Sequence, residues 1–137
     1  MVRKKTLYKK TSGIVLGILL LCLYFSVQAH AVGIVSGRYP TRTPTELSLE
    51  VKVGSPTPVN LIIIQRLPPG TALAAANPPY KKYNAKKGEV RWLLRNVQAG
   101  TITVQLKLAT PVKPDQVSAE IRCMDPVTGK LVTTQVK

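Results

Sequence analysis

Histidine is nearly missing from this 137-residue chain, and acids are scarce. There is one histidine, His30, and there are six Asp or Glu against twenty Lys or Arg. Cysteines number two, Cys22 and Cys123, and aromatic residues make up only 5%. Each shortage excludes a class. His30 lies within residues 1–31, so the rest of the chain has no histidine to serve as the base of a nucleophilic triad. A zinc site of several Cys and His lacks its ligands, and a disulfide-rich scaffold lacks its cysteines. Uncharged apolar runs are short as well. The longest, Ile14–Val27, has 14 residues, below the roughly 20 needed for a helix to span a bilayer. No phosphate-cradling glycine loop occurs, and no Ser-x-x-Lys spacing is found after residue 31. No metal and no cofactor are expected, and the chain is read as a non-enzyme.

What is present begins with an address. Met1–Gly13 carries Arg3, Lys4, Lys5, Lys9 and Lys10 and no acid, and the apolar run Ile14–Val27 follows. Ala29 and Ala31 then supply small residues at the −3 and −1 positions of a cleavage site. This order predicts a secretory signal-peptide helix over 1–31, with an uncleaved anchor as the other reading of the segment. Removal of 1–31 takes His30, Cys22 and five basic residues with it. The remainder holds fifteen basic and six acidic residues, a net charge of +9, with Cys123 its one thiol.

Residues 32–45, with Gly33, Gly37, Pro40 and Pro44, read as an extended arm or linker, with at most a short strand at Gly33–Ser36. From Leu47 onward the period is two. Leu47, Leu49, Val51 and Val53 alternate with Ser48, Glu50 and Lys52; Val90, Trp92 and Leu94 alternate with Arg91 and Arg95. Ile102–Leu108 and Val117–Cys123 repeat the pattern, and Leu131–Val136 closes it. Val59–Leu67 is apolar on both faces, as a central strand is, and Pro68-Pro69-Gly70 ends it. The alanines of Thr71–Ala76 suit a helical turn, but Pro68, Pro69, Pro78 and Pro79 box the segment in. Asp125–Gly129 reads as a hairpin turn. Short strands with turns between them and no amphipathic helix predict an all-β domain over 46–137, an antiparallel sandwich of about seven strands. Trp92 is expected at the centre of its core, and Cys123 is expected to be buried.

The stretches Leu47–Val53, Val59–Gly70 with its Leu67-Pro68-Pro69-Gly70 turn, Gly88–Trp92 and Ala99–Val104 resemble the immunoglobulin-like conserved repeat domain of bacterial surface proteins. Gln65-Arg66 stands where that family usually has an acid before Leu-Pro. The resemblance implies an immunoglobulin-like β-sandwich and an extracytoplasmic setting: periplasm, cell surface or medium. It carries no catalytic residues.

One stretch concentrates chemistry. Tyr80, Lys81, Lys82, Tyr83, Lys86 and Lys87 fall within eight residues and read as a basic loop. Lysines meet phosphates or carboxylates as point charges, and tyrosine rings stack on sugars or bases; the same lysines also suit a solvated loop that keeps a secreted domain soluble. The expected function is an exported, non-enzymatic module with a structural or protein-binding role at the cell envelope. The alternatives are a polyanion-binding protein using residues 80–87, and a filament subunit that self-assembles through the 32–45 arm. Partners are an envelope or extracellular protein or an anionic polymer, not cytoplasmic nucleic acid.

Overall fold

The computed structural model describes residues Gly33–Lys137. The segment 1–31, read as a signal peptide, lies outside the described residues. The described chain is a β-sandwich of nine strands and one short 3-10 turn at Pro114–Gln116. The strands are β1 (Val35–Arg42), β2 (Glu46–Val53), β3 (Asn60–Arg66), β4 (Leu73–Asn77), β5 (Lys82–Asn84), β6 (Glu89–Arg95), β7 (Gly100–Leu108), β8 (Ser118–Met124) and β9 (Leu131–Val136). One sheet runs β1-β2-β7-β4 and the other β5-β6-β3-β8-β9, with every pairing antiparallel.

Period-two patterning places the core. Leu47, Leu49, Val51 and Val53 of β2 pair with Leu106, Val104, Ile102 and Gly100 of β7, and the inward residues of both strands bury. They face Leu61, Ile63, Val90, Trp92, Ala119, Ile121 and Cys123 from the other sheet. Burial of such apolar surface, at roughly 25 cal/mol per Å², is the main force holding the two layers together. Trp92 lies in this core, and its indole Nε1 donates to the Pro78 carbonyl at 2.8 Å. Cys123 is buried on β8, and burial, with Asp125 beside it, pushes its thiol pKa up.

Polar groups also cross the core. The Tyr39 hydroxyl donates to Gln65 Oε1 at 2.9 Å, and Gln65 Nε2 donates to the Ser118 carbonyl at 2.9 Å. This ties β1 of one sheet to β3 and β8 of the other. Burial pushes the Tyr39 phenol up to about 12, against the opposing pull of Gln65 and Arg42. Gln65 is thus a neutral cross-link between the sheets.

Nine strands stand where about seven were expected, and three of them, β1, β4 and β5, lie outside the six strands expected from Leu47 onward. The segment expected as a free arm, 32–45, contains β1, hydrogen-bonded to β2 from Val35↔Val53 to Arg42↔Leu47. β1 is the edge strand of its sheet, paired on one side only. Two devices make it a strand. Gly37 lets the chain pass where a Cβ would meet Val136 and Ile121 at 2.6 and 2.8 Å. A register shift between Arg38 and Thr41 takes up Pro40, which no interior strand accommodates. The alanine segment becomes β4, an edge strand on β7, because cross-strand pairing overrides alanine's helical preference. The basic loop, finally, contains the three-residue strand β5.

Candidate anion-binding site

β3 ends at Leu67-Pro68-Pro69-Gly70, and β4 pairs with β7 in the opposite sheet before the chain crosses back at Pro78–Lys81 to lay β5 against β6. Two bonds from β6 fix this crossing: Trp92 Nε1 holds the Pro78 carbonyl, and the Arg91 carbonyl accepts the Lys81 N–H at 2.7 Å. The hairpin turn at Ala85–Gly88 is docked on the end of β3. Leu67 N–H donates to the Gly88 carbonyl at 2.7 Å, and Gly70 N–H donates to the Ala85 carbonyl at 2.8 Å. Gly88 has φ +67°, and a side chain there would run into the Leu67 carbonyl. The lysine-rich segment is thus clamped to the sandwich by its backbone.

Strand parity sorts its residues. Tyr83 pairs with Val90 on the inward side, packs against the core, and donates its hydroxyl to the Thr71 carbonyl. Burial raises its pKa, with Tyr80 adding to the effect. Tyr83 therefore braces the hairpin against the loop before β4, which leaves its ring half-buried. Tyr80 is exposed and meets Tyr83 edge-on, with ring centroids 6.3 Å apart at 66°. Lys82 and Asn84 point outward, opposite Arg91 and Glu89 respectively. Lys82, Asn84, Lys87, Glu89 and Arg91 line a depression of about 150 Å³ on the outer face of the sheet. Of the six residues expected at the site, Lys82 and Lys87 line the depression. Lys81 and Lys86 are exposed beside it, and neither tyrosine lines it.

Arg91 was missed as a member of this group. Its outward parity is readable from Val90, Trp92 and Leu94, but its position opposite Lys82 follows from the register of β5 on β6. Asn84 was passed over as well. It also accepts the Lys87 N–H on Oδ1 at 3.3 Å, so it both lines the depression and shapes the turn.

The charges around the depression are unbalanced. Glu89 is engaged by Arg66 at 2.7 Å, and Arg66 also reaches Glu120 at 3.1 Å. Glu120 is also bound by Arg122. The Arg122 hydrogen bond, with those of Arg66 and Gln135, holds the buried Glu120 carboxyl below its usual range. This lattice spreads over the middle of the sheet and covers Ile64, an outward residue only 2% exposed. Among the described residues, Lys81, Lys82, Lys86, Lys87 and Arg91 make no ion pair. Lys82 and Arg91 are like charges directly opposite on neighbouring strands, an arrangement that destabilises a sheet. A phosphate, sulfate or carboxylate between them would reverse the sign of that interaction.

No protein-family model and no curated protein matches this chain.

Proposed function

We propose that the chain is an exported, non-enzymatic immunoglobulin-like module that binds an anionic partner at the cell envelope through the outer face of the β5–β6 hairpin. The observation that carries this reading is the Lys82–Arg91 cross-strand pair, with Lys87 beside it, around a depression whose one acid is already taken by Arg66. Three unpaired cations on a clamped hairpin form a preorganised anion receptor, which binds without first ordering a loop. The neighbouring Lys81 and Lys86 extend the positive field along the hairpin, as a polymer with repeated anionic groups requires. Tyr80, exposed beside Lys81, supplies one aromatic face for a sugar or base.

Two features support the immunoglobulin-like part of the reading. The two sheets are antiparallel, with β2→β3 and β7→β8 among the connections that cross between layers, and a buried tryptophan sits on β6, an interior strand of the five-stranded sheet. The export part rests on the order of the basic, apolar and small-residue regions in 1–31.

Retention on an immobilised sulfated polysaccharide tests the function. The wild-type protein is expected to elute at moderate salt, and the variant K82A/K87A/R91A markedly earlier. Co-elution of the two would reject the hairpin face as the contact.

A further inference from the structure

A second surface lies at the opposite end of the sandwich. Residue pairs Val35↔Val53, Val53↔Gly100, Leu61↔Leu94 and Leu61↔Cys123 bring one set of strand ends together. The N-terminal residue Gly33, the 54–59 and 96–99 connections and the 125–130 turn therefore share one end. Backbone bonds knit it: Gly54 N–H donates to the Ile34 carbonyl at 2.7 Å, and Val97 N–H to the Val59 carbonyl at 3.4 Å. The 85–88 turn and its anion site belong to the other half, where β3 ends and β6 begins.

Apolar exposure is concentrated at the first end. Val59, Met124, Val127 and Leu131 are between 54% and 76% exposed, and apart from Tyr80 they are the large exposed hydrophobic side chains among the described residues. Met124 and Leu131 face each other across β8 and β9, and Val127 stands at the turn beyond them. The turn is braced. The Asp125 carboxylate accepts the Val127 N–H at 2.8 Å and the Thr128 N–H at 3.3 Å, and Asp125 N–H donates to the Lys130 carbonyl at 2.8 Å. The apolar side chains are thus held out by a fixed hairpin.

Charge and chain direction identify the occupant. Lys52, Arg95 and Lys130 are exposed at this end and make no ion pair among the described residues. Asp125 is the one acid there, and its carboxylate is spent on the turn. The described chain also begins at this end, at Gly33, so the uncleaved-anchor reading of the preceding segment, with its apolar run Ile14–Val27, would tether this same end. Exposed apolar side chains at an end that also carries unpaired cations fit the boundary between anionic headgroups and acyl chains.

We infer that this end, through Val127, Met124 and Leu131 with Lys130 next to them in the chain and Lys52 and Arg95 at the same end of the sandwich, rests on an anionic lipid surface.

The test uses the full chain in vesicles of phosphatidylcholine with a minor fraction of phosphatidylglycerol, the acyl chains either plain or brominated. Val127→Trp reports the depth of the turn, with wild-type Trp92 emission subtracted as background. Contact predicts emission reduced roughly twofold by brominated lipid, and less when phosphatidylglycerol is left out. Leu131→Trp repeats the measurement should the first variant fold poorly. Equal emission in plain and brominated vesicles overturns the inference, and so does equal quenching on purely neutral lipid. Concentration-dependent blue-shifted emission without vesicles also overturns it, because a second copy would then cover this end.

Discussion

Replacing Trp92 by phenylalanine tests whether the core indole also fixes the binding hairpin. The substitution deletes the pyrrole part of a buried ring and the N–H that holds the Pro78 carbonyl at 2.8 Å. The lost hydrogen bond contributes about 1 kcal/mol. The deleted ring atoms remove roughly 50 Å² of buried apolar surface, or about 1.3 kcal/mol at 25 cal/mol per Å². The expected loss is therefore about 2 kcal/mol, below the 3–5 kcal/mol typical of a buried aromatic cut back to alanine. Urea unfolding followed by circular dichroism measures it. Because Pro78 begins the crossing to β5, the loss should also be local. Amides of Lys81–Asn84 should exchange faster in the variant by a larger factor than amides of β2 or β7. An unfolding midpoint equal to that of wild type would refute the reasoning, as would uniform acceleration of exchange across both sheets.

Four further outcomes are expected. Gly88→Ala, with φ +67° and the Leu67 carbonyl in the way, should cost at least about 2 kcal/mol, whereas Gly129→Ala, at φ +68° in open space, should cost about 1 kcal/mol in the same urea assay. Tyr39→Phe leaves the buried Gln65 Oε1 without its donor and should cost about 1–3 kcal/mol by thermal or urea unfolding. Glu120, chiefly through Arg122, has a lowered folded pKa, so its contribution is present above its ordinary value of 4.5 and is lost as pH falls through the folded value. Glu120→Gln should therefore cost about 1–2 kcal/mol near neutrality, discounted because Arg66 and Arg122 are both partly exposed, and its urea midpoints should converge with wild type in acid. Cys123, buried and raised in pKa, should alkylate about tenfold or more slowly in the native protein than in urea, as peptide mapping would read.

The sandwich was legible where period two is strict. The alternation of Leu47–Val53 and Ile102–Leu108 states both the strand and its buried face, and Trp92 and Cys123 fall on inward positions for the same reason. Pairing of weak segments was less legible. Thr71–Ala76 has small side chains that fit a helix or a strand, and only the open edge of β7 decides between them. Residues 35–42 hold a glycine and a proline that argue against a strand locally. The structure uses the first for close packing on Val136 and the second at a bulge. At the candidate site, the lysine density of 80–87 was plain, but its division into inward Tyr83 and outward Lys82 depends on the three-residue strand β5. Arg91, seven or more residues along the chain from most of that segment, joins the site only through register. The Glu120 lattice was invisible for the same reason, since Arg66, Glu89 and Arg122 come from three strands.

The most direct measurement of anion binding is the salt dependence of affinity for a soluble sulfated or phosphorylated polymer. Wild type, K82A/K87A/R91A and K107A/K113A/K137A are compared, the two variants losing the same formal charge, the second from exposed lysines outside both proposed surfaces. If the hairpin face is the receptor, the first variant should flatten the slope of log affinity against log salt by roughly one unit per lost contact. The second variant should keep a slope close to that of wild type. Equal flattening in both variants would contradict a built site and assign the attraction to overall positive charge.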